Sequence, residues 1–211
     1  MTTNDNRLQN QKLTRLSFKD LTLETERLRL TPLSLADVDL TRALWTDRDV
    51  MKYIADLTPD DEILDETRKV SQRGAGGRIG IWCISDRVDN EKLGTAILLP
   101  VPVESEKRDW GSIDEQSYPN AEIEIGYMFK SNAWGKGIAT EACTRLLRFG
   151  FEATELEEIV ATTDPENLAS QKVLLKCGLR NEGLRQAYGT KLPGFRITRK
   201  EWASLNKAAA D

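Results

Sequence analysis

The clearest alternation of hydrophobic and polar positions lies in residues 121–130, AEIEIGYMFK. Side chains of a β-strand point to opposite faces in turn, so this pattern predicts a strand with two distinct faces. One face is apolar, whereas the other carries two carboxylates. The first face holds Ala121, Ile123, Ile125, Tyr127 and Phe129, and the second holds Glu122, Glu124, Gly126 and Met128.

Shorter runs of similar character predict further strands. Some alternate apolar and charged residues, and others are short apolar runs bounded by turn residues such as Val88, Asp89 and Asn90. The predicted strands cover residues 27–33, 78–86, 91–99 and 157–164, with two closing strands near 179–188 and 194–202.

Two helices in the first half of the chain are marked by their capping residues. Ser34, with Asp37 three residues later, predicts the start of the first helix. Thr58 and Pro59 predict the start of the second, since Thr is a good N-cap and Pro suits the first turn. Gly74 lies past its expected end.

Two further helices are predicted in the second half. Residues 136–153 carry apolar side chains at spacings of three and four, which is typical of a helix with one buried face. Residues 165–178 form the other, with Asp164 or Asn167 near its cap and Gly178 past its end. The apolar stripe of the first consists of Ile138, Ala142, Leu146 and Phe149.

The predicted order is strand, two helices, three strands, helix, strand, helix and closing strands, which indicates an α/β fold. A chain of 211 residues suits one domain. We expect a polar, loosely held arm at 1–22, the domain at 23–205 and a tail at 206–211. Residues 100–120 contain three prolines, many charges and no periodicity. A loop this long is either functional or mobile.

Gly135 and Gly137 flank Lys136 directly before the third predicted helix. Glycine inside a helix costs about 1 kcal/mol relative to alanine. Two glycines directly before a helix therefore indicate a requirement other than helix stability. The free N–H groups at a helix N-terminus attract anions, and glycines let the backbone approach a phosphate closely. The stretch matches neither G-x-x-x-x-G-K-[ST] nor G-x-G-x-x-G. A different phosphate-binding loop and a tight turn without a ligand are both compatible with it.

Composition excludes several kinds of chemistry. The chain has no histidine, which removes Ser-His-Asp and Cys-His catalysis and the usual zinc sites. A net charge of −4 disfavours a nucleic-acid partner. No apolar run approaches the roughly 18 residues of a membrane span, and the N-terminus lacks the apolar core of a signal peptide. We therefore expect a cytoplasmic protein whose cysteines, Cys83, Cys143 and Cys177, are buried free thiols.

Three motifs, taken together, resemble one family. They are EIGY at 124–127, WGKGIATEA at 134–142 and NLASQKVLLKCG at 167–178. In this combination the chain resembles the GNAT superfamily of acetyl-CoA-dependent N-acetyltransferases, and more narrowly its RimJ/RimL-like branch. The resemblance covers about residues 23–204. It implies a central, mostly antiparallel sheet of six to seven strands flanked by about four helices.

The resemblance also implies how coenzyme A is held. In this family the glycine loop binds the pyrophosphate through backbone N–H groups, and the pantetheine arm lies between two diverging strands. An asparagine at the start of the next helix contacts the arm. Carried over, the loop residues are Gly135, Lys136, Gly137, Ile138, Ala139 and Thr140, the strand residues are Met128, Phe129 and Lys130, and the asparagine is Asn167.

Acetyl transfer requires a group that takes the proton of the attacking amine. Glu122 and Glu124 lie two residues apart and share a face, so both are candidate bases. Glu124 is favoured because it occupies the glutamate position of the branch motif, although either residue can equally be a solvated or ion-paired strand glutamate. Many family members have a tyrosine acid where this chain has Leu174. Ser170 is then a candidate acid, or it caps the helix or contacts the arm while the thiolate leaves unaided.

The predicted function is acetyl transfer from acetyl-CoA, without a metal, to a primary amine of a small molecule or a peptide N-terminus. One alternative is a non-catalytic acyl-CoA-binding module of the same fold, and another is an unrelated nucleotide-binding α/β protein. The acidic balance suggests cationic acceptors such as polyamines, aminoglycosides or basic peptide termini. Trp45, Tyr53 and Tyr188 are candidates for the acceptor site or for core packing. We expect a monomer or homodimer that contacts neither nucleic acid nor a membrane.

Overall fold

The computed structural model describes residues 13–208, and within them the strands form one eight-stranded sheet. Its order is β1-β2-β3-β4-β5-β6-β8-β7. All neighbouring strands pair antiparallel except β5 and β6, which are parallel. The strands are β1 Leu23–Glu24, β2 Leu28–Pro32, β3 Gly80–Asp86, β4 Lys92–Pro100, β5 Ile123–Phe129, β6 Glu158–Thr162, β7 Arg180–Ala187 and β8 Thr190–Thr198.

The predicted α/β class with a mostly antiparallel sheet is confirmed, with one strand more than expected. The additional strand is β1, which is too short to show any periodicity in the sequence. Seven α-helices lie within residues 13–208, compared with about four expected. They are α1 Phe18–Leu21, α2 Val38–Trp45, α3 Arg48–Met51, α4 Ile63–Val70, α5 Ile138–Glu152, α6 Leu168–Lys176 and α7 Arg199–Ala208.

The starts of α2 and α4 show which local sequence signals determine where a helix begins. Ser34 and Asp37 form the predicted reciprocal cap: the N–H of Ser34 donates to the Asp37 carboxylate at 2.9 Å, and a 3₁₀ turn then leads into α2. The predicted start at Thr58 is wrong, because α4 begins at Ile63. Pro59 disfavours the helical conformation of the residue that precedes it, Thr58. The N–H of Thr58 instead donates to the Trp45 carbonyl at 3.1 Å.

The packed part of the chain begins earlier than residue 23. Leu21 is buried, Leu13 and Leu16 pack against the core, and the N–H of Leu16 donates to the Gly76 carbonyl at 2.9 Å. These residues of the predicted arm are therefore held in place, whereas residues 1–12 lie outside the described part. At the other end, α7 continues to Ala208, inside the predicted tail.

Helix α5 is the central element of the core. It packs on β1, β2, β4 and β5, and its predicted apolar stripe is buried. The ring of Phe149 meets Trp82 edge-on, with 5.4 Å between the ring centroids. Helix α6 packs on α5 and β7. Cys83, Cys143 and Cys177 are buried free thiols, as predicted. In the described part of the chain no helix is both long and apolar enough to cross a membrane.

Candidate active site

Strands β5 and β6 diverge directly after Glu124. The two strands are paired through a single couple, Glu124 with Val160, whereas β5 pairs with β4 along its whole length. Within residues 13–208, the edge of β5 beyond Glu124 therefore has no neighbouring strand on this side. An unpaired strand edge offers backbone donors and acceptors to an extended ligand. The geometry matches the diverging strands expected for a pantetheine arm.

The ladder between β4 and β5 determines which backbone groups face this gap. The N–H of Lys130 donates to the Leu93 carbonyl, and the N–H of Val101 donates to the Glu122 carbonyl, each at 2.9 Å. Hydrogen-bonded couples alternate along an antiparallel ladder. The even-numbered residues of β5 therefore direct their backbone groups at β4, and the odd-numbered residues direct theirs at the gap.

This alternation changes the expected backbone contacts of the arm. The amides of Met128 and Lys130 are committed to β4, so the strand amides that face the gap are those of Tyr127 and Phe129. The carbonyl of Phe129 already accepts a hydrogen bond from the Trp134 indole at 2.8 Å. Of the three strand residues suggested by the resemblance, only Phe129 directs its N–H into the gap.

The glycine loop lies at the N-terminus of α5 and is exposed to solvent. Gly135 and Gly137 have φ values of +72° and +77°, a left-handed conformation that other residues adopt only at a cost. A Cβ on Gly135 would have no neighbour within 4 Å, so the space beside this backbone is open. Gly137 is the N-cap of α5 and provides no side-chain cap. The N–H groups of the first turn therefore remain available to an anion.

Arg27, in the turn between β1 and β2, supports this loop, a role that the sequence did not reveal. Its Nη1 donates to the Lys136 carbonyl at 3.0 Å, and its Nε donates to the Glu141 carboxylate at 2.6 Å. Partial burial raises the pKa of Glu141, but hydrogen bonds from Thr25 and Arg27 outweigh it, so that the pKa lies below the usual range. The first turn of α5 is thus tied to the turn between β1 and β2.

Glu124 is a buried carboxylate whose two oxygens have different surroundings. Oε1 accepts hydrogen bonds from Arg108 Nη2 and from the Tyr188 hydroxyl. Oε2 accepts none from residues 13–208 and retains contact with solvent, although only 5% of the side chain is exposed. Burial raises the pKa of Glu124, and the charge of Arg108 and the Tyr188 hydroxyl oppose this only in part. One oxygen is anchored and the other is free to accept a proton.

The loop at 100–120 supplies Arg108 to this carboxylate. Arg108 Nε donates to the Pro100 carbonyl at 2.9 Å, and Nη2 lies 2.7 Å from the Tyr188 hydroxyl. The loop is also hydrogen-bonded to the turn between β7 and β8, because the N–H of Tyr188 donates to the Pro102 carbonyl at 2.8 Å. The loop is therefore part of the site. Tyr188 was one of the acceptor-site candidates, whereas no periodicity or motif had indicated Arg108.

Glu122 lies directly before β5, in a different environment from Glu124. Its carboxylate pairs with Arg185, which also pairs with Glu182. Glu182 lies 3.0 Å from Arg196, and Arg196 lies 3.0 Å from Glu158. Glu122 is an exposed member of this ion-pair network, in agreement with the ion-paired alternative for this residue.

Ser170 lies on the opposite side of β5 from Glu124. Its N–H donates to the Asn167 side-chain oxygen at 3.0 Å, which makes Asn167 the N-cap of α6. The Tyr127 hydroxyl lies 3.2 Å from Ser170 Oγ and donates to the Ser170 carbonyl at 3.1 Å. Burial raises the pKa of Tyr127. Leu174, at the position of the family tyrosine, is buried in the core.

The remaining candidates for the acceptor site are Trp45 and Tyr53. Trp45 packs against the core, and the ammonium of Lys52 lies 4.6 Å from the ring centre of Tyr53. In residues 13–208, no group of three or more cysteine, aspartate and glutamate side chains is placed to hold a metal ion.

Comparison with known proteins agrees with this geometry. A family model described as "Acetyltransferase (GNAT) domain" matches residues 27–180. The uncharacterized N-acetyltransferase p20 of Bacillus licheniformis is 32% identical over 169 residues, covering 79% of this chain and 86% of that protein. FsC-acetyl coenzyme A-N(2)-transacetylase of Aspergillus fumigatus is 30% identical over 197 residues, covering 88% of this chain and 80% of that protein.

Solved structures show the same fold at low sequence identity. A GCN5-related N-acetyltransferase from Brucella melitensis superposes with a TM-score of 0.67 at 20% identity, covering 95% of this chain and 88% of that one. RimL, a ribosomal L7/L12 alpha-N-protein acetyltransferase, superposes with a TM-score of 0.64 at 14% identity, covering 84% of this chain and 97% of that one.

Proposed function

The chain belongs to the GNAT acetyltransferase family and is an acetyl-CoA-dependent N-acetyltransferase, and we propose that its acceptor is a primary amine that binds beside Glu124 and attacks the thioester directly. The observation that carries this proposal is the position of Glu124, at the single couple through which β5 and β6 are paired. A thioester lying in this gap is next to the free oxygen of the carboxylate.

The proton balance explains why a carboxylate is needed. An ammonium group cannot attack a carbonyl. A peptide α-amine, with a pKa of about 8, is roughly 10% unprotonated at pH 7, whereas a lysine amine near 10.4 costs about 4–5 kcal/mol to deprotonate. Glu124 Oε2 takes this proton as the nitrogen–carbon bond forms. The carbon–sulfur bond then breaks, and the coenzyme A thiolate leaves.

The backbone groups of the site suit the donor. The amides of Gly135 to Thr140 at the start of α5 bind the pyrophosphate, and the N–H of Phe129 binds the pantetheine arm in the gap. Lys136, which is exposed within the loop, adds positive charge. Asn167 caps α6 with its side-chain oxygen, which leaves its amide nitrogen to contact the arm.

Thermal unfolding with acetyl-CoA tests the donor site, with ATP and NAD as controls. A ligand at one hundred times its Kd stabilises the folded state by about 2.7 kcal/mol, which corresponds to roughly 5–10 °C for a domain of this size. We expect a rise with acetyl-CoA alone. A rise with ATP or NAD alone would contradict the proposal. Binding of acetyl-CoA without acetylation of any amine would favour the non-catalytic module instead.

A further inference from the structure

Arg108 has a hydrogen-bonding capacity that the proposed reaction does not use. Its side chain is only 12% exposed, and its Nε and Nη2 donate to Pro100, Glu124 and Tyr188. Nη1 has no hydrogen-bond partner among residues 13–208 and retains contact with solvent. A guanidinium group stays charged at any physiological pH, so Nη1 is a permanent donor held in place by its neighbours.

This donor lies next to the proposed base. Arg108 and Glu124 are directly hydrogen-bonded through Nη2 and Oε1, which leaves Nη1 and Oε2 as the free atoms of the pair. The free donor and the free acceptor therefore belong to two groups that are hydrogen-bonded to each other. An acceptor molecule that carries an oxygen beside its amine matches both atoms.

The local charge argues against a simple polycation. Arg108 neutralises Glu124, although the chain as a whole carries a net charge of −4. A polyamine would find a carboxylate that is already paired and a guanidinium that repels it. A carboxylate or carbonyl oxygen next to the amine would instead accept a charge-assisted hydrogen bond from Nη1.

We propose that Arg108 selects acceptors whose amine-bearing carbon also carries a carboxylate or carbonyl, that is, an α-amino acid or a peptide N-terminus. The amine contacts Glu124 Oε2 and the neighbouring oxygen accepts from Arg108 Nη1. This inference rests on the proposed function, because it assigns Glu124 to the acceptor amine. It replaces the expectation of a polyamine acceptor, which overall charge had suggested.

The test uses sets of acceptors that share a side chain. Each set contains an L-amino acid, its amide and the corresponding decarboxylated amine. All are supplied to the 211-residue chain with acetyl-CoA, and the products are followed by mass spectrometry. A hydrogen bond to a charged donor corresponds to roughly 10- to 100-fold in kcat/KM. Rates are compared per unprotonated amine, because an α-amine of pKa about 8 and an alkyl amine near 10.4 differ by roughly 200-fold in free base at pH 7. On this basis we expect the amino acid or its amide to exceed the amine by this factor. A preference for the free carboxylate indicates a small amino acid, and a preference for the amide indicates a peptide N-terminus.

Substitution of Arg108 separates this role from general effects on the site. Because Arg108→Gln also changes the environment of Glu124, both acceptor classes are expected to react more slowly. The decisive readout is the ratio between the α-amino carbonyl compound and its decarboxylated amine, which should fall toward one. Lys107→Gln removes the neighbouring exposed cation and should leave the ratio at the wild-type value.

The outcomes distinguish this inference from the function on which it rests. Equal rates for the amino acid, the amide and the amine, or a ratio that Arg108→Gln leaves unchanged, would overturn the role of Arg108 while leaving the acetyltransferase intact. A faster reaction of polyamines with Arg108→Gln would show that the arginine blocks a cation site instead. Acetyl-CoA binding with no acetylated product from any acceptor would overturn both proposals.

Discussion

The hydroxyl of Tyr127 on β5 lies 3.2 Å from Oγ of Ser170 on α6 and donates to the Ser170 carbonyl at 3.1 Å. The two hydroxyls lie on the side of β5 opposite Glu124. In the proposed reaction, a thioester in the gap between β5 and β6 has the carboxylate on one side and this pair of hydroxyls on the other. The arrangement provides a candidate acid in a chain that has Leu174 at the usual position of the family tyrosine.

Tyr127→Phe and Ser170→Ala should slow the release of the coenzyme A thiolate. General acid catalysis contributes about 10²–10⁴ in rate. Because a thiol pKa near 8.5 makes the thiolate a fairly good leaving group, we expect a loss near 10² or below. The measurement is kcat with acetyl-CoA and with an acetyl thioester of a more acidic thiol. The second donor should recover most of the loss. Equal losses with both donors would show a structural role for the hydroxyls.

Glu124→Gln should lower kcat/KM by about 10²–10⁴, which is the usual contribution of a general base. The variant keeps the shape of the side chain, so acetyl-CoA binding measured by calorimetry should be unchanged. Glu122→Gln is the matched control, since its exposed carboxylate only pairs with Arg185. Similar losses in both variants would contradict the assignment of the base.

The activity should fall on the acidic side as Glu124 becomes protonated. Burial raises the pKa of this carboxyl above its usual range, so the acid limb of kcat/KM should lie above the value of an exposed glutamate, about 4.3. The attacking amine adds a second limb, which moves with the pKa of the acceptor while that of Glu124 stays in place. An acid limb that follows only the acceptor would show that Glu124 does not take the proton.

Local sequence patterns predicted the elements that carry the site. They could do so because each pattern involves only residues that are close together in the chain. The alternation in β5 places Glu124 and Tyr127 on opposite faces whatever the tertiary structure. The cap formed by Ser34 and Asp37 involves neighbours three residues apart. The stripe of α5 is a property of one helix, so its burial follows from its periodicity.

The contacts that tune the site link residues far apart in the chain. Arg108 is 16 residues from Glu124 and Tyr188 is 64 residues from it. Arg27 holds the Lys136 carbonyl across 109 residues. Such contacts depend on how loops lie over the sheet, and the loop at 100–120 has no period from which its path follows. The backbone contacts of Met128 and Lys130 likewise depended on the register between β4 and β5, which composition and motif do not specify.

Gly135→Ala tests whether the loop approaches a ligand. Forcing alanine into a left-handed conformation costs roughly 1–2 kcal/mol. Gly183 has a φ of +89° and, like Gly135, no neighbour within 4 Å of an added Cβ, so Gly183→Ala provides a matched control for strain. Both variants should lose similar stability, but only Gly135→Ala should weaken acetyl-CoA binding in calorimetry. Equal affinity in the two variants would make the loop a structural turn.

Glu201 links the stability of the C-terminal helix to pH. Its carboxylate accepts hydrogen bonds from the N–H and the hydroxyl of Thr198 at 2.8 and 2.7 Å, and it pairs with Arg180 at 2.8 Å. The bonds from Thr198 and the charge of Arg180 lower the pKa of Glu201 to about 2. A carboxylate whose pKa is lower in the folded state stabilises the protein above its unfolded pKa. This contribution is lost as the pH falls through the folded value.

Glu201→Gln should therefore destabilise the protein at neutral pH and have progressively less effect in acid. The glutamine retains an acceptor for Thr198 but loses the charge, so the loss at pH 7 should not exceed the roughly 1 kcal/mol typical of a cap. The measurement is the free energy of unfolding in urea from pH 7 down to pH 2, with the exposed Glu26→Gln as control. The difference from wild type should shrink steadily below pH 4.5 and be small at pH 2, because about half of the wild-type carboxylates are then protonated in the folded state as well. A difference that stays constant across this range would mean that the charge of Glu201 does not contribute to holding α7 against β8.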